Sequence, residues 1–121
     1  MRNLFKILII LGIIYPGILW AEDTQPKGLK AVAGDRVVYL HWSSPQRGAD
    51  GYWVYRALPD GDYERLTLHP LQKPFYEDRD VVNGQFYWYT LTAIDLKGNE
   101  GAPSKEIWAK PTPHHGSLIG Y

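Results

Sequence analysis

The stretch Tyr76-Glu77-Asp78-Arg79-Asp80-Val81-Val82-Asn83-Gly84-Gln85-Phe86-Tyr87-Trp88-Tyr89-Thr90-Leu91-Thr92-Ala93-Ile94-Asp95 decides the fold. Asn83-Gly84 is a turn signal, and the residues after it alternate. Tyr87, Tyr89, Leu91 and Ala93 fall on one face of an extended strand, while Phe86, Trp88, Thr90 and Thr92 fall on the other. Large apolar side chains placed strictly two apart are what a strand needs when one of its faces is buried. Tyr87 stands three residues after Gly84, at the start of this strand. That position suits a tyrosine corner, with the ring inside and the hydroxyl bonded to backbone just upstream. Such a corner closes two sheets onto each other, so the stretch predicts a sandwich.

Outward from this strand, strand and turn signals recur about every ten residues, and no segment carries a convincing 3.6-residue period. Pro26 precedes a short first strand with Leu29 and Ala31, and Gly34-Asp35 turns the chain. Val38, Leu40 and Trp42 alternate with Tyr39 and His41 in a second strand that buries the first set. A loop from Ser43 to Asp50 leads to Gly51–Arg56, with Tyr52 and Val54 inward and Trp53 and Tyr55 outward. Pro59-Asp60-Gly61-Asp62 is a turn. Tyr63–Leu66 reads as a short edge strand, and Lys73–Glu77 as another. Asp78 follows in a bend where a carboxylate can accept backbone N–H groups. Asp95-Leu96-Lys97-Gly98-Asn99 turns into a last strand, Ser104–Lys110. The count is seven strands in an all-β, two-sheet antiparallel sandwich of immunoglobulin-like type. Its predicted core is Val38, Leu40, Trp42, Tyr52, Val54, Tyr76, Val81, Tyr87, Tyr89, Leu91 and Ala93, with Trp42, Asp78, Gly84 and Tyr87 in structural roles.

The two ends read differently. Arg2 and Lys6 precede an apolar stretch from Ile7 to Trp20, broken by Pro16-Gly17, and Leu19-Trp20-Ala21 leads into Glu22-Asp23. This is the layout of a signal peptide helix over residues 1–21 with cleavage after Ala21. The stretch is short against the roughly 20 residues needed to span a bilayer, so no stable membrane span is expected after cleavage. Residues 22–25 are predicted as a short linker, 26–111 as the sandwich and 112–121 as a flexible tail. The expected location is secreted, periplasmic or cell-envelope. Without Arg2 and Lys6, the 11 basic and 13 acidic residues give a formal charge of −2. That balance offers no footprint for nucleic acid. The chain has no cysteine, which excludes disulfides and thiolate metal sites.

In order along the chain, these motifs resemble a fibronectin type III domain of the bacterial kind. Pro26-x-x-Leu29-x-Ala31 resembles its opening strand, Val38-x-Leu40-x-Trp42-x-x-Pro45 its second strand and Gly51-Tyr52-x-Val54-Tyr55-Arg56 its third. Tyr76 to Asp95 resembles the block through the tyrosine corner, and Gly98-Asn99-Glu100 with Ser104 the final loop and strand entry. The resemblance implies a non-catalytic recognition or adhesion module, or a spacer beside catalytic and sugar-binding domains. The integrin-binding tripeptide of some animal relatives is absent, since Arg47-Gly48-Ala49-Asp50 carries an additional Ala.

The outer face of the sheet formed by strands three, six and seven is the predicted site. Trp53, Tyr55, Trp88 and Trp108 are expected to point outward there. They would form a docking face for another envelope or extracellular protein, because Trp and Tyr are favoured interface anchors. The alternatives are a polysaccharide-stacking platform in a carbohydrate-associated accessory domain, and a structural spacer or truncated piece of a larger extracellular enzyme. The bland account is cross-strand aromatic pairing, with basic stems such as Arg56, Lys105 or Lys110 covering the rings. No catalytic residue, metal or cofactor is assigned. His114-His115 lies in the predicted tail, and the acidic residues near Glu77 and Asp60 fit turn capping better than chemistry.

Overall fold

The computed structural model describes residues 21–113, and the predicted signal peptide, apart from its last residue Ala21, lies outside the described residues, as does His114-His115. Among the described residues seven strands form two antiparallel sheets. They are β1 (Lys27–Gly34), β2 (Val37–Ser43), β3 (Gly51–Ala57), β4 (Glu64–Arg65), β5 (Phe75–Asp78), β6 (Tyr87–Ile94) and β7 (Ile107–Ala109). One sheet has the order β1-β2-β5 and the other β4-β3-β6-β7. The only helix among the described residues is a single 3-10 turn, Glu22–Thr24. None is long and apolar enough to cross a membrane.

Alternation places the core as the sequence predicts. Val38, Leu40, Trp42, Tyr52, Val54, Val81, Tyr87, Tyr89, Leu91 and Ala93 are buried together, with Ala109 added and Tyr76 packed against them half-buried. Trp42 meets Tyr52 edge to face with centroids 5.3 Å apart. Burying each Val or Leu here stabilises the fold by about 1.5–3 kcal/mol before entropy is counted. The Val82 N–H donates to the Tyr87 hydroxyl at 2.8 Å, which is the tyrosine-corner bond. Gly84 has φ +88°, a conformation that costs glycine little. Beside it, Asn83 accepts the Arg36 N–H at 2.8 Å and donates to Asp35, so this turn is tied to the β1–β2 turn of the other sheet.

A polar clasp also joins the sheets. Asp78 of β5 is buried, and its carboxylate accepts from Arg56 of β3 at 2.9 and 3.0 Å and from the Tyr89 hydroxyl of β6 at 2.7 Å. It also accepts the Asp80 N–H in the bend at 3.2 Å, so backbone capping is only one of its tasks. Burial pulls the Arg56 guanidinium down, but the bond to Asp78 and its charge offset this and leave it raised. Burial, then the bond to Asp78 and its charge, push the Tyr89 phenol far above its ordinary value.

Residues 22–25 do not behave as a linker. The Thr24 hydroxyl donates to the Ala21 carbonyl at 2.6 Å and accepts the Ala102 N–H at 2.9 Å. Gln25 donates to the Pro103 carbonyl, and Asp23 pairs with Arg47 at 3.2 Å. Thr24 packs so closely on Gly101 that a Cβ there would come within 2.4 Å of it. The side chains of Asp23, Thr24 and Gln25 are spent on docking to the β2–β3 and β6–β7 connections.

Candidate functional site

The outer face of the four-stranded sheet is set by its register. Tyr55 lies opposite Arg65 of β4 and Thr90 of β6, Trp53 opposite Thr92, and Trp88 opposite Trp108. All these side chains leave the sheet on the side away from the main core. They do not all reach solvent.

The expectation for Tyr55 is corrected outright. It has 0% exposure and forms a second, smaller core with Ala57 and Tyr63, against which Trp53 and Trp88 pack. Two carboxylates from the β6–β7 connection close this layer. Glu100 accepts the Tyr55 hydroxyl at 2.7 Å and the Thr92 hydroxyl at 2.5 Å. Glu106 accepts the Tyr63 hydroxyl. The Thr90 hydroxyl donates to the Ser104 carbonyl at 2.9 Å, and the Ser104 hydroxyl accepts the Leu91 N–H. Burial, followed by the charge of Glu100 and the bond to it, holds the Tyr55 phenol far above its ordinary value. The pattern of two tells which side of a sheet a residue takes. It does not tell whether that side is roofed by residues far along the chain.

The three Trp residues fare differently. Trp53 is half-buried, with the Arg65 guanidinium 3.9 Å from its ring centroid. Trp88 is half-buried against the smaller core. Trp108 is 53% exposed and meets Phe86 edge to face at 5.3 Å, while the Lys110 ammonium lies 5.1 Å from the Phe86 centroid. The expected continuous platform therefore shrinks to a corner made by Trp108 and Phe86. Arg65 covers Trp53 in the rest, and unlike Lys110 it carried no cue beyond its place in the short edge strand.

Among the described residues no group of three or more His, Cys, Asp or Glu converges as a metal site. Buried Asp78 is consumed structurally by Arg56 and Tyr89, and half-buried Glu100 binds Tyr55 and Thr92. A polar depression of about 480 Å³ lies at the end where the chain enters, lined by Thr24, Arg47, Asp50, Asp95, Asn99 and Glu100 among others. Asp95 is held below the usual carboxylate range, first by the Asn99 backbone N–H, because it caps its own turn.

No protein-family model matches the chain. An amylopullulanase of Thermoanaerobacter thermohydrosulfuricus is 42% identical over 114 residues, covering 88% of this chain and 8% of the relative. The chain spans less than a tenth of the length of the curated relatives it matches. Among solved structures, an Fn3-like protein from Clostridium thermocellum superposes with a TM-score of 0.64 at 27% identity, over 78% of this chain and all of that one. A fibronectin type III domain of human fibronectin type III domain containing protein 3 gives 0.63 at 16% identity, over 84% of this chain and 96% of that one. With its two-sheet sandwich, its tyrosine corner and these likenesses, the chain has the fibronectin type III fold.

Proposed function

We propose that this chain is an exported, non-catalytic accessory module that works beside polysaccharide-processing catalysis and contacts an uncharged glucan. The observation that carries this reading is the 42% identity to an amylopullulanase of which the chain spans only 8%. A stretch of 114 matched residues has the size of one small domain within a much larger chain. Amylose and pullulan, the polymers in that relative's name, are uncharged. The buried carboxylate supports a non-catalytic role, since both oxygens of Asp78 are already committed to a guanidinium, a phenol and a backbone N–H group. Export rests on the leader-like layout of residues 1–21.

The test is native affinity electrophoresis of the chain in gels cast with and without pullulan or soluble starch. Retarded migration in the polymer gels is the expected result. Identical mobility in every gel removes glucan contact from the reading.

Docking of a protein partner is the second reading, favoured by the exposed Trp108–Phe86 corner alone. A Trp108→Ala variant that recovers the same envelope proteins as the wild type, in the same amounts, removes it.

A further inference from the structure

The outer face of the three-stranded sheet drew no attention in the sequence, yet it is the more open of the two. Lys30 and Val32 of β1, Tyr39 and His41 of β2, and Phe75 and Glu77 of β5 all point away from the core. Register sorts them into two rows. His41 stands between Lys30 and Phe75, and Tyr39 stands between Val32 and Glu77. Phe75 is 55% exposed and Tyr39 39%. Arg79 is gripped by Glu77 at 2.9 and 3.1 Å and reaches over the Tyr39 ring, 6.0 Å from its centroid. Among the described residues no ring or cation is stacked on Phe75.

We infer that this face, centred on Phe75, is where the module holds a chain of uncharged glucan; the inference rests on the reading given under Proposed function. Three properties fit that occupant. The first is ring chemistry: an exposed aromatic face takes the C–H side of a pyranose. The flanking His41, Glu77 and Arg79 supply donors and acceptors for its hydroxyls. The second is charge. Glu77 and Arg79 neutralise each other, leaving Lys30 as the one further formal charge among these side chains. An anionic polymer would call for a cluster of basic groups. The third is size. Two rows across three strands cover on the order of 200 Å², far below the roughly 800 Å² per partner of a stable protein interface. A second copy of this chain or another protein needs more surface than this, whereas one sugar strand does not.

The experiment uses the full chain in native gels containing pullulan, soluble starch or polygalacturonate. Phe75→Ser is compared with Phe75→Tyr, which keeps a ring, and with Leu68→Ser, a change at an exposed loop position off this face. Thermal unfolding of each variant checks that the sandwich is intact. The expected result is retardation of the wild type, Phe75→Tyr and Leu68→Ser in both neutral polymers, with roughly tenfold weaker binding by Phe75→Ser. Unchanged retardation of a folded Phe75→Ser overturns the site while the accessory reading survives, and loss on Trp108→Ser would move the contact to the opposite face. Retardation in polygalacturonate alone overturns the uncharged ligand. A wild type that migrates freely in every gel overturns the site and the glucan reading together.

Discussion

The two outer faces of this sandwich share the same strand physics and end differently. On the four-stranded sheet, Tyr55 and Tyr63 are sealed under a layer pinned by Glu100 and Glu106. On the three-stranded sheet, Phe75 and Tyr39 stand in the open, braced at one side by an Arg79–Glu77 pair. Both faces carry alternating aromatics, so alternation by itself does not make a surface. What separates them is the chain beside each. The β6–β7 connection is long enough to send two carboxylates back across β6, and nothing equivalent flanks β5 among the described residues.

If the first face is truly interior, its residues should behave as core. Tyr63→Ala is expected to cost about 3–5 kcal/mol in urea unfolding, the range for removing a buried aromatic ring. A loss under 1 kcal/mol would mean that the layer is a loose cover. The Tyr55 phenol sharpens the same point through pH. Its folded value lies above the ordinary 10.0, first because it is buried and then because Glu100 faces it. A raised value means that the unfolded chain releases the proton first. The associated stability is therefore complete below pH 10 and declines as pH rises beyond it. Tyr55→Phe should flatten that alkaline decline without abolishing it, because Tyr89 is raised in the same sense.

Smaller changes test the margins. Arg65→Ala removes the guanidinium over Trp53 and should cost about 0.5–1 kcal/mol, with a blue-to-red shift in Trp fluorescence as the ring meets water. On the open face, Phe75→Ser should change stability by no more than about 0.5 kcal/mol. A larger loss would show that Phe75 is structural, and the contrast between the faces would collapse.

Much of the architecture was legible because it depends on local rules. Val38/Leu40/Trp42, Tyr52/Val54 and Tyr87/Tyr89/Leu91/Ala93 each declare an inward face by spacing, and Asn83-Gly84 followed by Tyr87 declares the corner. The misreading of Tyr55 has a specific cause. Its roof comes from Tyr63 and Glu100, and Glu100 lies 45 residues away along the chain. The role of residues 22–25 was hidden for the same reason, since Thr24 meets Ala102 across 78 residues. Asp78 was visible as a capping carboxylate, but its bond to Arg56 depends on two strands in different sheets meeting at one level. Phe75 went unnoticed because Lys73 and Pro74 made its strand look like a minor edge.

The places where the chain enters and leaves carry a mechanical consequence. Residues 23–25 are fastened near the Lys27 end of β1, and the Thr112 N–H is fastened to the Gly34 carbonyl at the other end. Eight residues of extended strand separate those anchors by about 25 Å. A tensile load applied through both would run along β1 and shear its ladder with β2, so that many backbone bonds resist together instead of opening one by one. Such a load would be met by the ladder of β1 and β2 as a unit.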